Sequence, residues 1–169
     1  WQMLSPGKKL MFMGGEFGQQ REWSEARELD WGLLANPENA ASQRLSADLN
    51  RLYRDLPALH TQDFSPLGFE WIDCNDSEHS VLSWLRWGSD GSFVVVVFNF
   101  TPVPQTDYRL GVPAAGCYVE LLNTDSVFYG GSNLGNGGAL PAHEGEWMGR
   151  PANLEVTIPP LGAVVLRLG

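Results

Sequence analysis

From Phe69 onward the chain is a succession of short β-branched and aromatic runs cut apart by turn residues, and nothing between them has the length or period of a helix. Candidate strands lie at residues 69–73, 81–87, 92–100, 108–110, 117–122, 154–158 and 164–168, with Pro102, Pro104, Pro113, Pro159 and Pro160 at their ends. The segment Gly88-Ser89-Asp90-Gly91 predicts a hairpin. Such a sequence buries its apolar residues by laying one sheet face on another, so an antiparallel β-sandwich or barrel follows. The Gly-rich residues 129–138 read as a long surface loop; they lack the Lys-Ser/Thr ending and the following helix of a phosphate loop.

The first third of the chain is written differently. Leu10-Met11-Phe12-Met13, followed by Gly14-Gly15-Glu16-Phe17-Gly18-Gln19, reads as a short strand apolar on both faces and then a tight turn, the pattern of a parallel sheet or barrel. No second strand of this type follows, so its neighbours are expected outside this sequence or in another molecule. Residues 20–34 read as an ordered loop. Asn36 then caps a helix with Pro37 in its first position, Leu45, Leu49, Leu52, Tyr53 and Leu56 line one face, and Leu56-Pro57 stops it. A boundary is expected near residues 63–68, separating residues 1–63 from an all-β unit at residues 64–169. The fold class expected is therefore mainly β.

Composition narrows the function. Eleven Lys and Arg against 20 Asp and Glu give a net charge of -9, with no basic patch to neutralise phosphates, which argues against nucleic acid as a partner. The longest aliphatic run, residues 93–98, is one strand long and does not span a membrane. Cys74 and Cys117 have no Cys or His at metal-ligand spacing and are expected to be buried or partly buried thiols, which fits a cytoplasmic setting. The chain opens on Trp1 and reads as a piece of a longer one.

Candidate chemistry is sparse. His60, His79 and His143 fall in polar stretches, and no Ser sits in a nucleophile elbow. The acids in an aromatic, Gly-rich context are Glu16, Glu22 and Asp30. Glu16 follows the candidate strand, where sites of barrels and open α/β sheets lie, or else it is a turn carboxylate that accepts backbone amides. Glu22-Trp23 and Asp30-Trp31 each join a hydrogen-bond acceptor to a flat apolar ring, an arrangement that grips sugars or that merely packs a loop. Trp71, Trp84 and Trp87 lie in or beside strands and read first as core.

These residues carry a resemblance. Gly7-Lys8-Lys9-Leu10-Met11-Phe12-Met13-Gly14-Gly15-Glu16-Phe17-Gly18-Gln19, with Arg21-Glu22-Trp23 and Leu29-Asp30-Trp31, resembles the last barrel strand and loop of glycogen branching enzymes in the α-amylase superfamily. Asp48-Leu49-Asn50-Arg51-Leu52-Tyr53-Arg54 with Pro57-Ala58-Leu59-His60 resembles their final barrel helix, and Phe69-Glu70-Trp71-Ile72-Asp73, Val96-Val97-Phe98-Asn99-Phe100-Thr101-Pro102-Val103-Pro104 and Tyr129-Gly130-Gly131-Ser132 their C-terminal β domain. Residues 141–151 are the least similar part.

The resemblance implies a (β/α)8 barrel end followed by a β-sandwich, in an enzyme that cuts an α-1,4 linkage and rejoins the released glucan through an α-1,6 bond. In that family an Asp attacks the anomeric carbon, a Glu protonates the leaving oxygen, and a sugar 6-hydroxyl captures the glycosyl-enzyme. Those groups lie on earlier barrel elements, so the resemblance assigns no catalytic residue, metal or cofactor here, and the chain alone is expected to be inactive. It implies substrate-binding roles for Glu16, Gln19, Glu22, Trp23, Asp30 and Trp31, toward glycogen or amylose. The strand at Leu10-Met11-Phe12-Met13 is expected either to leave its segment folded back on the β domain or to pair with a second copy. Two other readings stay open: a carbohydrate-binding sandwich with Trp71, Trp84, Trp87 or Trp147 as platforms, and the end of another α-amylase-superfamily hydrolase.

Overall fold

A computed structural model describes residues 1–169. One helix, α1 (Pro37–Asp55), starts where Asn36 accepts the Glu38 amide through its side chain (3.1 Å), with Pro37 supplying a fixed φ in the first turn. It ends ahead of Pro57, and the Leu56 amide closes the last turn on the Leu52 carbonyl at 3.0 Å. Leu45, Leu49, Leu52 and Tyr53 face a buried cluster of Leu4, Leu56, Ala58, Leu59, Trp84, Val94, Val96, Leu122 and Val165.

Eight strands follow: β1 (Phe69–Asp73), β2 (Val81–Trp87), β3 (Phe93–Asn99), β4 (Gln105–Val112), β5 (Gly116–Asn123), β6 (Ala139–Trp147), β7 (Arg150–Ile158) and β8 (Ala163–Leu168). All pairings are antiparallel, in the order β1-β2-β3-β8-β5-β6-β7-β4. The expected sandwich is thus a single ladder that curls over, so that Ile72, Val81, Leu85, Val95 and Val97 meet Leu110, Val112, Leu154, Val156 and Ile158 in one core. The opposite face of β2, β3 and β8 is covered by α1 and the N-terminal segment. Being buried on both sides explains why Val94-Val95-Val96-Val97 and Val164-Val165-Leu166 are unbroken apolar runs. Side chains bridge the two ends of the ladder: Arg150 donates to Glu70 Oε1 (2.7 Å) and the Trp71 carbonyl (2.8 Å), and the Tyr108 hydroxyl to Asp76 Oδ2 (2.7 Å).

The two halves are joined by a buried ion cluster. The fully buried Arg86 of β2 donates to the carbonyls of Leu4 (3.1 Å), Leu59 (3.2 Å) and Gly68 (3.1 Å) and pairs with Asp63. Asp63 also accepts from the Tyr53 hydroxyl of α1 (2.6 Å) and lies 3.4 Å from the Lys9 ammonium.

Several sequence expectations are corrected. Leu10-Met11-Phe12-Met13 forms no strand: the ladder presents no strand alongside it, the Phe12 carbonyl takes the Gly15 amide in a turn (2.9 Å), and all four residues are exposed. A strand is held by a partner's hydrogen bonds, and apolar content alone does not supply them. Upstream, Met3 and Leu4 fold back and are buried. Cys74 and Cys117 are exposed, one just past the end of β1 and one near the start of β5, where neither layer covers them. Of the tryptophans read as core, Trp84 is fully buried, Trp87 is half-buried and Trp71 is exposed. Strand β6 escaped detection because only Ala142 in it is buried and Pro141 interrupts it. Pro141 pairs with Cys117 of β5, while pairing with β7 begins at Ala142, so its missing amide costs no ladder bond on the β7 side.

The Gly-rich loop after β5 is ordered by one acid. Asp125 accepts the amides of Ser132 and Leu134 (both 3.0 Å) and the Ser132 hydroxyl (2.6 Å). A Cβ on Gly131 would lie 2.2 Å from the Asp125 carbonyl oxygen, so glycine is required there. The loop is tied to α1 by Tyr129 donating to Asp48 Oδ2 (2.8 Å) and Arg44 to the Phe128 carbonyl (2.9 Å).

Replacing Arg86 by Met should leave the Asp63 carboxylate buried without its main partner and cost roughly 3–5 kcal/mol, read as a lowered urea midpoint. All four tyrosines are held above their ordinary value of 10.0: Tyr53 to about 12 by its hydrogen bond to Asp63 and then burial, Tyr129 to about 12 by burial and then Asp48, Tyr108 upward by burial and then Asp76, and Tyr118 upward by burial. The native state therefore keeps these protons longer than the unfolded chain does. The associated stability is whole below pH 10.0 and is lost as pH climbs toward about 12. Phenolate absorbance of the native chain at pH 10.0 should fall far short of half ionisation, the level reached once urea unfolds it.

Candidate functional site

The loop carrying the sequence-predicted residues is built on two left-handed glycines. Gly14 (φ 87°) and Gly18 (φ 68°) bracket a single 3-10 turn, Gly15–Phe17, that reverses the chain. Phe17 is fully buried, its carbonyl accepts Asn39 Nδ2 (2.7 Å), and the Glu16 carbonyl accepts the Ser46 hydroxyl (2.9 Å), which docks the turn on α1. Asn39 and Ser46 are seven residues apart and so share one face of the helix.

Glu16 is half-buried, and its Oε2 accepts the Gly14 amide at 3.0 Å, the turn-carboxylate arrangement. Gln19 bridges the loop, accepting the Asp30 amide through Oε1 and donating through Nε2 to the Arg21 carbonyl, both at 2.8 Å. Arg21 pairs with the Asp30 carboxylate and reaches the Glu28 carbonyl at 3.3 Å. Trp31, 48% exposed, leans on Phe17 with ring centroids 5.3 Å apart. Trp23, 40% exposed, stands edge-on to Phe12 at 5.0 Å, and Glu22 beside it is exposed.

Gln19, Asp30 and, through Phe17, Trp31 are thus gathered around the turn, with Arg21 as the member that sequence reading did not single out. Its signal was a cation, one of two with Arg27, within the acid-rich residues 16–30. Glu22 and Trp23 sit instead with the exposed Phe12. The loop offers two half-exposed indoles, each against a phenylalanine, and an Arg21–Asp30 pair, side chains suited to stacking and hydrogen bonding. The buried carboxylate of the chain is Asp63, whose oxygens are occupied by Arg86, Tyr53 and Lys9.

Comparison with known proteins bears on this geometry. The family model described as "Alpha amylase, C-terminal all-beta domain" matches residues 71–169. Over 167 residues the chain is 90% identical to the 1,4-alpha-glucan branching enzyme GlgB of Dechloromonas aromatica (strain RCB), covering 99% of this chain and 27% of that protein. It is 58% identical to GlgB of Thiobacillus denitrificans, covering 99% and 23% respectively. The chain therefore spans about a quarter of the length of these curated relatives. Among solved structures, the Group B Streptococcus pullulanase SAP aligns with a TM-score of 0.59 at 13% identity over 99% of this chain and 27% of that one. The alpha-amylase from H. orenii aligns at 0.56 and 16% identity over 99% and 33%. Identities this low show the shared fold alone.

Changing Gln19 to Ala should free the Asp30 amide and loosen residues 20–30, so that trypsin cuts at Arg21 and Arg27 several times faster. The loop is largely exposed, so the global urea midpoint should move by no more than about 1 kcal/mol.

Proposed function

The chain belongs to the alpha amylase C-terminal all-beta domain family, and from that membership we propose that it works as the C-terminal part of a 1,4-α-glucan branching enzyme, in the cytoplasm, on glycogen- or amylose-like glucans. The observation that carries this reading is the 90% identity with GlgB of Dechloromonas aromatica, sustained over 167 residues. No helix is long and apolar enough to cross a membrane.

In the proposed division of labour, residues 64–169 hold a neighbouring catalytic unit in place, and residues 1–63 are the closing segment, loop and helix of that unit. The Arg86 and Asp63 cluster supports such a role, because it fixes α1 and the N-terminal segment against the sheet at buried, directional contacts. Glu16, Gln19, Glu22, Trp23, Asp30 and Trp31 would then contact glucan as it passes the loop, the indoles against sugar faces and the polar groups against hydroxyls. Pairing of two copies through Leu10-Met11-Phe12-Met13 loses its strand basis, since these residues form none.

Branching by a double displacement needs a nucleophilic carboxylate and a second acid with a raised pKa across one glycosidic bond. On the proposed reading neither role falls to a residue of this chain, and its buried carboxylate, Asp63, is held in the ion cluster with Arg86. Incubated with amylose, the 169-residue chain should therefore produce no α-1,6 linkages and no reducing ends. Debranching followed by chain-length analysis checks this, and new branch points would defeat the reading.

A further inference from the structure

We propose that the outer face of β4, β7 and β6 around Trp147 is a second α-glucan contact, separate from the loop on α1. The strand register assembles it. His143 lies opposite Asn153, Asn153 opposite Gly111, and Glu155 opposite Arg109. The intervening Ala152, Leu154 and Val156 point into the core, so His143, Asn153, Glu155 and Arg109 share the outward surface. Pro141, His143, Asn153, Leu154 and Glu155 line a cavity of about 320 Å³ there, at the small end of the ~300–1,000 Å³ typical of ligand sites.

The hairpin tip supplies a platform beside this hollow. A register shift between Glu144 and Trp147 bends β6, and Met148 (φ 49°) and Gly149 (φ 68°) form a two-residue turn that returns the chain at Arg150. The tip crosses β4 at Gly111, where a Cβ would lie 2.2 Å from the Trp147 carbonyl oxygen. That crossing sets the Trp147 ring 4.3 Å from the Arg109 guanidinium. The indole Nε1 donates to the Arg109 carbonyl (2.8 Å), Arg109 Nε to Asn153 Oδ1 (2.9 Å), and Asn153 Nδ2 to the Gly145 carbonyl (2.7 Å).

Trp147 is nevertheless 39% exposed. An aromatic ring clamped through its N–H and toward one face, yet open to solvent, has lost its rotamer freedom before any ligand arrives, which favours binding. A glucan presents flat C–H faces rimmed by hydroxyls. The free part of the indole suits the faces, and the exposed His143 and Glu155 suit the rim. The choice of glucan as ligand rests on the branching-enzyme reading; the site's geometry does not.

Affinity electrophoresis of the 169-residue chain through gels holding glycogen tests it. Trp147→Ala should weaken binding by at least about tenfold, while Trp147→Tyr, which keeps a ring, should stay within about threefold of the parent. An unchanged thermal midpoint for both variants separates loss of contact from loss of fold. Retardation that survives in Trp147→Ala but disappears in Trp31→Ala overturns this site and leaves the glucan reading standing. Absence of retardation in the parent chain overturns the site and glucan contact by this chain together.

Discussion

The ion pair between Arg86 and Asp63 is the contact on which the remaining structure hangs. A guanidinium and a carboxylate removed from water each cost several kcal/mol, offset only if the geometry is good and the other donors and lone pairs are used. Here they are: Arg86 reaches three backbone carbonyls besides Asp63, and Asp63 receives Tyr53 and lies beside Lys9. Those groups come from four segments, so one buried pair sets where the N-terminal segment, α1, the turn at Leu59 and the entry to β1 sit relative to β2. Apolar packing alone would hold these segments together without choosing their register.

The curled sheet solves a second problem. Strands β2, β3 and β8 are apolar on both faces and need covering twice, once by the β4 and β7 end of the same ladder and once by α1 and its flanking segments. Curling brings the two ends of the sheet together, where Arg150 and Tyr108 bridge them through side chains. The same arrangement turns the outer surface of β4, β7 and β6 toward solvent, which leaves room there for polar and aromatic residues that the core would reject.

Local chemistry made much of this legible. Asn36-Pro37 and Leu56-Pro57 bracket α1 because caps and proline act within one turn of the chain. The strands rich in Val and the Gly88 to Gly91 hairpin were readable for the same reason. What failed depended on partners. Leu10-Met11-Phe12-Met13 has the composition of a buried strand and none of the ladder, and β6 has the ladder and little of the composition. In the loop, Glu16, Trp23 and Trp31 stood out as residue types, but Gln19 and Arg21 define its shape through contacts to residues 7–11 positions away.

The sequence by itself determined the class of fold, the position of α1, seven of the eight strands and the resemblance to branching enzymes, because periodicity, caps and turn residues act over a few positions. Tertiary structure decided the rest. That β1 to β8 form one curled ladder, that Arg86 finds Asp63, and that Trp147 is clamped by Arg109 instead of being buried are outcomes of which segments meet. Desolvation and hydrogen-bond geometry are settled only once the partners are in place, so no local pattern encodes them.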